Sequence, residues 1–167
     1  MIIREETEED IIAVRAIHEA AFGSPAEAEL VDTLRSQVRP IISMVAVEGA
    51  LVVGHIFFSP VTLNSLQNLK LMGLAPMAVM PGHQRGGVGS ALVVRGLEEC
   101  ANRGVGAVTV LGHPAYYPRF GFLPSVRFGI RSEYPVPEEV FMIKELIPNY
   151  LHDHRGTINY HEAFGDV

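Results

Sequence analysis

The stretch HQRGGVGSAL, residues 83–92, sets three glycines, Gly86, Gly87 and Gly89, at the start of a segment with helical spacing. Glycine is the weakest ordinary helix former, so a run of it there needs a reason. The first turn of a helix has backbone N–H groups without intrahelical partners. They carry partial positive charge and bind anions. Glycine removes the side chain that would hold a phosphate away, and it tolerates positive φ. A pyrophosphate grip is the chemistry this pattern can serve. A tight strand-to-helix connection can use the same glycines, and the glycines alone do not choose between the two.

Two nucleotide readings fail on particular residues. The phosphate loop of nucleotide hydrolases needs Lys and then Ser or Thr after its last glycine; here Gly89 leads into Ser90 and Ala91, with no lysine near. The dinucleotide fingerprint needs a third glycine where Leu92 stands. It also needs an acidic residue about 20 positions on, where this chain has Thr109. Other reactive side chains read as structural. Cys100 falls inside the helix with no paired base and reads as packing. His152 and His154 are two apart with no partner cysteine, so no metal site is expected. Phe57, Phe58, Phe120 and Phe122 read as core.

The elements that must position the glycine turn follow from periodicity. Residues 2–4 can start an edge strand. Thr7 and Asp10 form a capping signal before the helical spacing of Ile11, Val14, Ile17, His18 and Ala21. Ser24, Pro25 and Glu27 open a second helix, which stops before Pro40. Residues 41–47 and 51–63 read as an antiparallel hairpin turning at Glu48 and Gly49. Residues 64–68 are turn-like, and 69–80 is a strand that Gly73 and Pro76 interrupt, which suggests a bulge or broken edge. A helix over 87–103, a short buried strand at 107–111, a helical turn or two at 114–120 and a strand at 140–146 follow. The tail, 148–167, has no clear periodicity. A mixed sheet with helices packed on it is expected.

The chain has 167 residues, 48% of them apolar and 19% charged, which fits one globular domain. A net charge of -6 argues against a broad nucleic-acid surface, so no nucleic-acid partner is expected. One cysteine excludes an internal disulfide and fits a reducing cytoplasm. The N-terminus turns acidic at once and carries no signal-peptide pattern. Every apolar run falls short of the roughly 20 residues of a membrane span. A cytoplasmic, membrane-free protein is expected.

Gln84, Gly87 and Gly89 fit the pattern Gln/Arg-x-x-Gly-x-Gly/Ala, and the turn resembles the pyrophosphate loop of the GCN5-related N-acetyltransferases (GNAT), which bind acetyl-coenzyme A. The preceding LAPMAVMP, residues 74–81, resembles that family's core strand. Downstream, YYPRFGF, residues 116–122, is similar to the family's Tyr-x-x-x-Gly-Phe element. The two motifs stand in the family's order, a helix and a strand apart. The segment FMIKEL with the tail from 148 resembles a bacterial subgroup of predicted acetyltransferases, the YhbS-like group.

The resemblance implies an α/β chain with the GNAT acyl-CoA N-acyltransferase fold. That is a central, mostly antiparallel mixed sheet with one splayed parallel pair and helices on both faces. It implies a single domain over 1–167, with a core to about 146 and a C-terminal extension from 147. It implies acetyl-CoA as cosubstrate and no metal. The backbone of Met77, Ala78 and Val79 would meet the acetyl and pantetheine groups. Gln84, Arg85, Gly86, Gly87, Val88, Gly89 and Ser90 would hold the pyrophosphate, and Tyr117 would lie near the thioester sulfur as acid. The acceptor would be an amine on a small molecule, peptide or protein, and family analogy leaves a homodimer open. An amine of pKa about 10.4 must lose a proton before it attacks. Some relatives carry a strand glutamate for this, where this chain has Gly73. His55 is the first candidate base, ahead of His113, with Glu48 and Glu19 as further options. The alternatives are a non-catalytic acyl-CoA sensor and transfer of a longer acyl group.

Overall fold

The first helix begins where a carboxylate gathers the chain before it. Asp10 accepts the Thr7 N–H at 2.7 Å and the Thr7 hydroxyl at 3.1 Å. The Arg4 guanidinium forks onto both of its oxygens at 2.7 and 3.0 Å. That fork, helped by the Thr7 bonds and outweighing the opposite push of burial, holds the Asp10 carboxyl down at about 2. Strand β1 (Ile2–Glu5) is thereby tied to the start of helix α1 (Ile11–Phe22), which ends at left-handed Gly23. Ser24 Oγ accepts the Ala26 N–H at 3.2 Å at the start of α2 (Ala26–Gln37).

In this computed structural model residues 1–167 are described, apart from the side chain of Asp166. The remaining elements are β2 (Ile42–Glu48), β3 (Leu51–Leu63), β4 (Leu66–Val79), α3 (Val88–Asn102), β5 (Ala107–Leu111), β6 (Leu123–Pro124), β7 (Ile130–Ser132), β8 (Phe141–Glu145) and β9 (Gly156–Asn159). Strand order is β1-β2-β3-β4-β5-β8-β6, with β9 pairing β3 and β7. The ladders β1–β2, β2–β3, β5–β8 and β6–β8 are antiparallel, and β4–β5 is parallel. This is the mixed, mostly antiparallel sheet that the sequence implied.

Contacts divide the chain into two compact units, Met1–Ser59 with Ala75–Glu99 and Glu162–Val167, and Pro60–Leu74 with Cys100–His161. In the first, β3 is covered on both faces. Phe57 packs with Leu30, Val31 and Leu34 of α2. On the other face Gly54 lies under α3, where an added Cβ would come 2.9 Å from Val88 Cγ1 and 3.0 Å from Leu92 Cδ1. Gly96 of α3 in turn lets the Phe58 ring approach. Residues 53–59 are therefore buried without alternation, as expected of a strand covered on both sides.

In the second unit β5 is central. It runs parallel to β4 from Leu71↔Ala107 to Leu74↔Val110 and antiparallel to β8. Pro76, which has no N–H for a ladder, lies two residues beyond that register. Val61, Leu71, Ile143 and Ile158 belong to this unit's core.

The structure departs from the sequence expectation at the 64–68 turn and in the tail. The turn at 64–68 shortens to Asn64 and Ser65, both left-handed (φ 54° and 59°), and β4 starts at Leu66. Two successive residues of that kind make the tight hairpin turn that follows strand twist; the polar residues after them are an exposed strand end, not loop. The strand at 140–146 is not the last. The tail folds β9 between β3 and β7, pairing Thr62↔Asn159 and Ile130↔Gly156. Strands of three and four residues are too short to show a period.

Gly54→Ala should destabilise the protein by about 1–3 kcal/mol, the usual cost of overpacking, because Val88 and Leu92 must give way together. Urea unfolding of the variant against the parent measures this.

Candidate active site

The glycine turn lies in the first unit and is fastened from within. Past β4, the Met80 N–H donates to Val53 O at 2.8 Å. One 3-10 turn, Pro81–His83, follows, closed by His83 N–H to Met80 O at 2.8 Å. The Gln84 side-chain amide reaches back to Val79 O at 3.0 Å. Glu48 Oε2 lies 3.4 Å from His83 Nδ1. Arg85 and Gly87 are both left-handed (φ 65° and 88°), and the chain enters α3 with Ala91 N–H on Gly87 O at 3.0 Å. Val88, buried under β3, anchors the first helical turn. Its side chain is thus taken up by packing under β3.

Residues 84–87 are exposed. A Cβ added at Gly87 would meet nothing within 4 Å, and one at Gly86 would meet the His83 carbonyl at an ordinary 3.8 Å. Gly87 is required by its φ. Gly86 is required neither by φ nor by packing, and its bare, exposed backbone leaves room for an anion to approach. Of the other expected binding residues, Ala78 is buried, and Met77, Val79, Gly89 and Ser90 are half-buried. Gln84 turns inward to brace the strand end, so its side chain is engaged in the turn itself.

Tyr117 lies in the second unit, on the turn after β5. Its ring rests against Gly112, where no larger residue fits. Tyr116 meets it edge-on at 5.0 Å and Phe122 at 5.7 Å. Tyr117 is 9% exposed, and burial, ahead of the neighbouring Tyr116, pushes its phenol up to about 12. It holds its proton across the physiological range. Arg119 lies 4.7 Å from the Tyr116 ring centre, a cation–π contact. His113 Nδ1 accepts the Ala115 N–H at 3.1 Å, so this imidazole caps its own turn.

His55 is fully buried. Its Nδ1 shares a hydrogen bond with His18 Nε2 at 2.8 Å, and its Nε2 with Ser43 Oγ at 2.7 Å. Both nitrogens are occupied, so the ring has no face for an incoming amine, and this geometry corrects the expected role of His55 as direct base. His18 was legible as an inward-facing helix position; the pairing with His55 was not, because strand and helix meet only in the fold. Glu6 extends the cluster. Its carboxylate lies 3.9 Å from His55 Nε2 and is paired with Arg35 at 2.6 Å. Burial first, then Arg35, lowers His18 to about 4; burial, then His18, lowers His55 well below its usual value. Glu19, a further candidate base, is paired with Arg15 at 2.9 Å.

Among the described residues no group of three or more His, Cys, Asp or Glu could hold a metal ion, and no helix is long and apolar enough to cross a membrane.

A sheet with a parallel strand pair, followed by a bare-backbone turn into a helix and then by a tyrosine turn after the next strand, defines an acetyltransferase architecture. The acetyltransferase (GNAT) domain model matches residues 2–124, and the chain belongs to the GNAT acetyltransferase family. It is 34% identical over 165 residues to the N-acetyltransferase YhbS of Escherichia coli K12, covering 98% of each chain. It is 40% identical over 134 residues to YjhQ of the same organism, covering 78% of this chain and 74% of that one. The crystal structure of E. coli YhbS in complex with CoA superposes with a TM-score of 0.92, covering 98% of this chain and 91% of that one. A GNAT acetyltransferase from Brucella melitensis in complex with acetyl-CoA, 32% identical, superposes at 0.81 over 98% and 97%.

The histidine pair makes the fold acid-sensitive. Unfolded histidine titrates near 6.5 and folded His18 near 4, so between these values the unfolded chain binds more protons. Stability is complete above about 6.5 and falls as pH drops towards 4, by on the order of 3 kcal/mol from His18. His55→Gln should flatten that slope, as read by urea midpoints across this pH range.

Proposed function

We propose that this chain moves an acetyl group from acetyl-coenzyme A to a primary amine by direct attack of the amine on the thioester. The observation that carries the reading is Gly86, whose missing side chain is explained by no contact within the protein. The relatives crystallised with CoA and acetyl-CoA support it.

The bound thioester supplies an activated acetyl carbon and a thiolate leaving group. The exposed turn 84–87 and the first N–H groups of α3 grip the pyrophosphate. The backbone of Met77, Ala78 and Val79 orients the pantetheine arm, with the Met77 N–H donating to the carbonyl oxygen as it gains negative charge. One such donor lowers the barrier by about 3 kcal/mol. Tyr117 donates its hydroxyl hydrogen to the departing sulfur. A phenol near 12 is a weaker acid than a thiol near 8.5, so it works by hydrogen bonding to the departing thiolate, and any proton it passes to the sulfur is restored to the phenolate, through water, by the proton the amine releases. With His55 sealed in the core, the amine's proton leaves by a route other than that imidazole, through water or through the acceptor's own surroundings. Buried His55 instead holds α1 to β3.

Calorimetric titration with CoA should give saturable binding. Gly86→Val should weaken it by about 10- to 100-fold, the loss of one charge-assisted contact, without lowering the thermal midpoint. Absence of binding by the parent chain rejects the reading, and binding without CoA release across a broad amine panel would assign the chain as a sensor. Tyr117→Phe should lower kcat by about 100-fold or more with KM for acetyl-CoA little changed. The parent's kcat should show no Tyr117 titration below about pH 10, because the phenol titrates near 12.

A further inference from the structure

The second unit contains a hollow of about 470 Å³ between the 3-10 turn Ser125–Phe128 and the segment 145–155. Its lining carries Arg127, Arg155, His152 and His154 beside the carboxylates of Glu145 and Asp153. The two acids that share it are engaged. Glu145 Oε2 accepts the Leu151 N–H at 2.9 Å, and Asp153 Oδ2 lies 3.4 Å from His152 Nε2. Among the described residues no carboxylate pairs with Arg127 or Arg155.

Arg155 is held in its position. Its stem lies on Gly129, where an added Cβ would come 3.0 Å from its Cγ and 3.1 Å from its Cδ. Gly129 is also left-handed at φ 70°, so backbone and neighbour both call for glycine. The Asn64 side-chain amide donates to the Arg155 carbonyl at 2.8 Å, and the next residue, Gly156, donates its N–H to Gly129 O at 3.1 Å. The arginine backbone is therefore fixed on both sides of its Cα, and the stem has a seat.

Among the described residues neither guanidinium is paired with a carboxylate, although Glu145 and Asp153 share the lining, and an oxyanion held by both forks would supply that pairing. Their planar forks match the oxygens of a phosphate better than any point charge does. The volume falls in the range of small-molecule sites rather than of a bare ion. We infer that this hollow binds a small organic phosphate, with Arg127 and Arg155 on the phosphate group. None of the residues of the glycine turn lines it, and the inference stands independently of the acetyl-transfer reading.

The test is amide chemical-shift titration of the full chain with fructose 1,6-bisphosphate, with citrate and sodium chloride at matched ionic strength as comparisons. The expected result is saturable shifts at residues 126–129 and 151–156 with the bisphosphate. R127Q/R155Q should weaken binding by about tenfold or more, R127K/R155K by less, as loss of the fork alone would give. Gly86→Val should leave these shifts unaltered. Shifts that stay linear in concentration and match those of chloride would overturn the inference. So would tighter binding of citrate, retention of affinity in R127Q/R155Q, or loss of the shifts in Gly86→Val.

Discussion

Helix α3 lies on β3 at a separation that glycine permits, and the first unit is organised round that approach. Gly54 on the strand gives room for Val88 and Leu92, and Gly96 on the helix gives room for Phe58. Because Val88 is the first residue of α3, the same contact that packs the core also fixes where the helix begins. The bonds from Met80 to Val53 and from Gln84 to Val79 lock the incoming chain. A turn with three nearby glycines would otherwise be free to sample many conformations.

The opposite face of β3 carries polar groups at an unusual depth. His55 and His18 are both fully buried, and His18 Nδ1 has no partner there. The pair is tolerable as long as it is neutral. One imidazole donates, the other accepts, Ser43 takes the far nitrogen, and Phe22 stacks on His18 at 5.9 Å. Outside it runs a ribbon of alternating charge, with Arg15, Asp32, Arg35 and Glu6 linked in succession. The Arg35 charge makes a second cation inside less favourable still. Such a network contributes specificity of packing between α1 and β3 more than net stability, since an apolar pair of equal volume would avoid the unpaired nitrogen.

The two chemical elements of the family reading differ in how they relate to the fold. Gly86 is exposed, and no contact within the protein requires its bare backbone. Tyr117 is more ambiguous by itself, since a ring seated on Gly112 among Tyr116, Phe120 and Phe122 is also a packing residue. Its high pKa follows from that packing. The same burial that makes it a poor source of charge makes it a reliable hydrogen-bond donor.

Much of this was readable from order and spacing. The capping box at Thr7–Asp10, the hairpin at Glu48–Gly49, the 107–111 strand and the glycine turn depend on neighbours a few residues apart, and local chemistry settles such features, whereas the second helix starts one residue later than the Ser24 cap implied, with Pro25 as its cap. The family followed from two short motifs in order. What the sequence could not reveal were the contacts between residues far apart in the chain. His18 and His55 are 37 positions apart and Ile130 pairs with Gly156 through strands too short to show a period. Arg155 finds its seat on Gly129 only after β7 and β9 are side by side. Backbone propensity acts over a turn or a strand, whereas burial, pKa and the pairing of charges depend on what the folded chain brings next to a group. The tertiary structure therefore decided that His55 is sealed and that Gly86 is open.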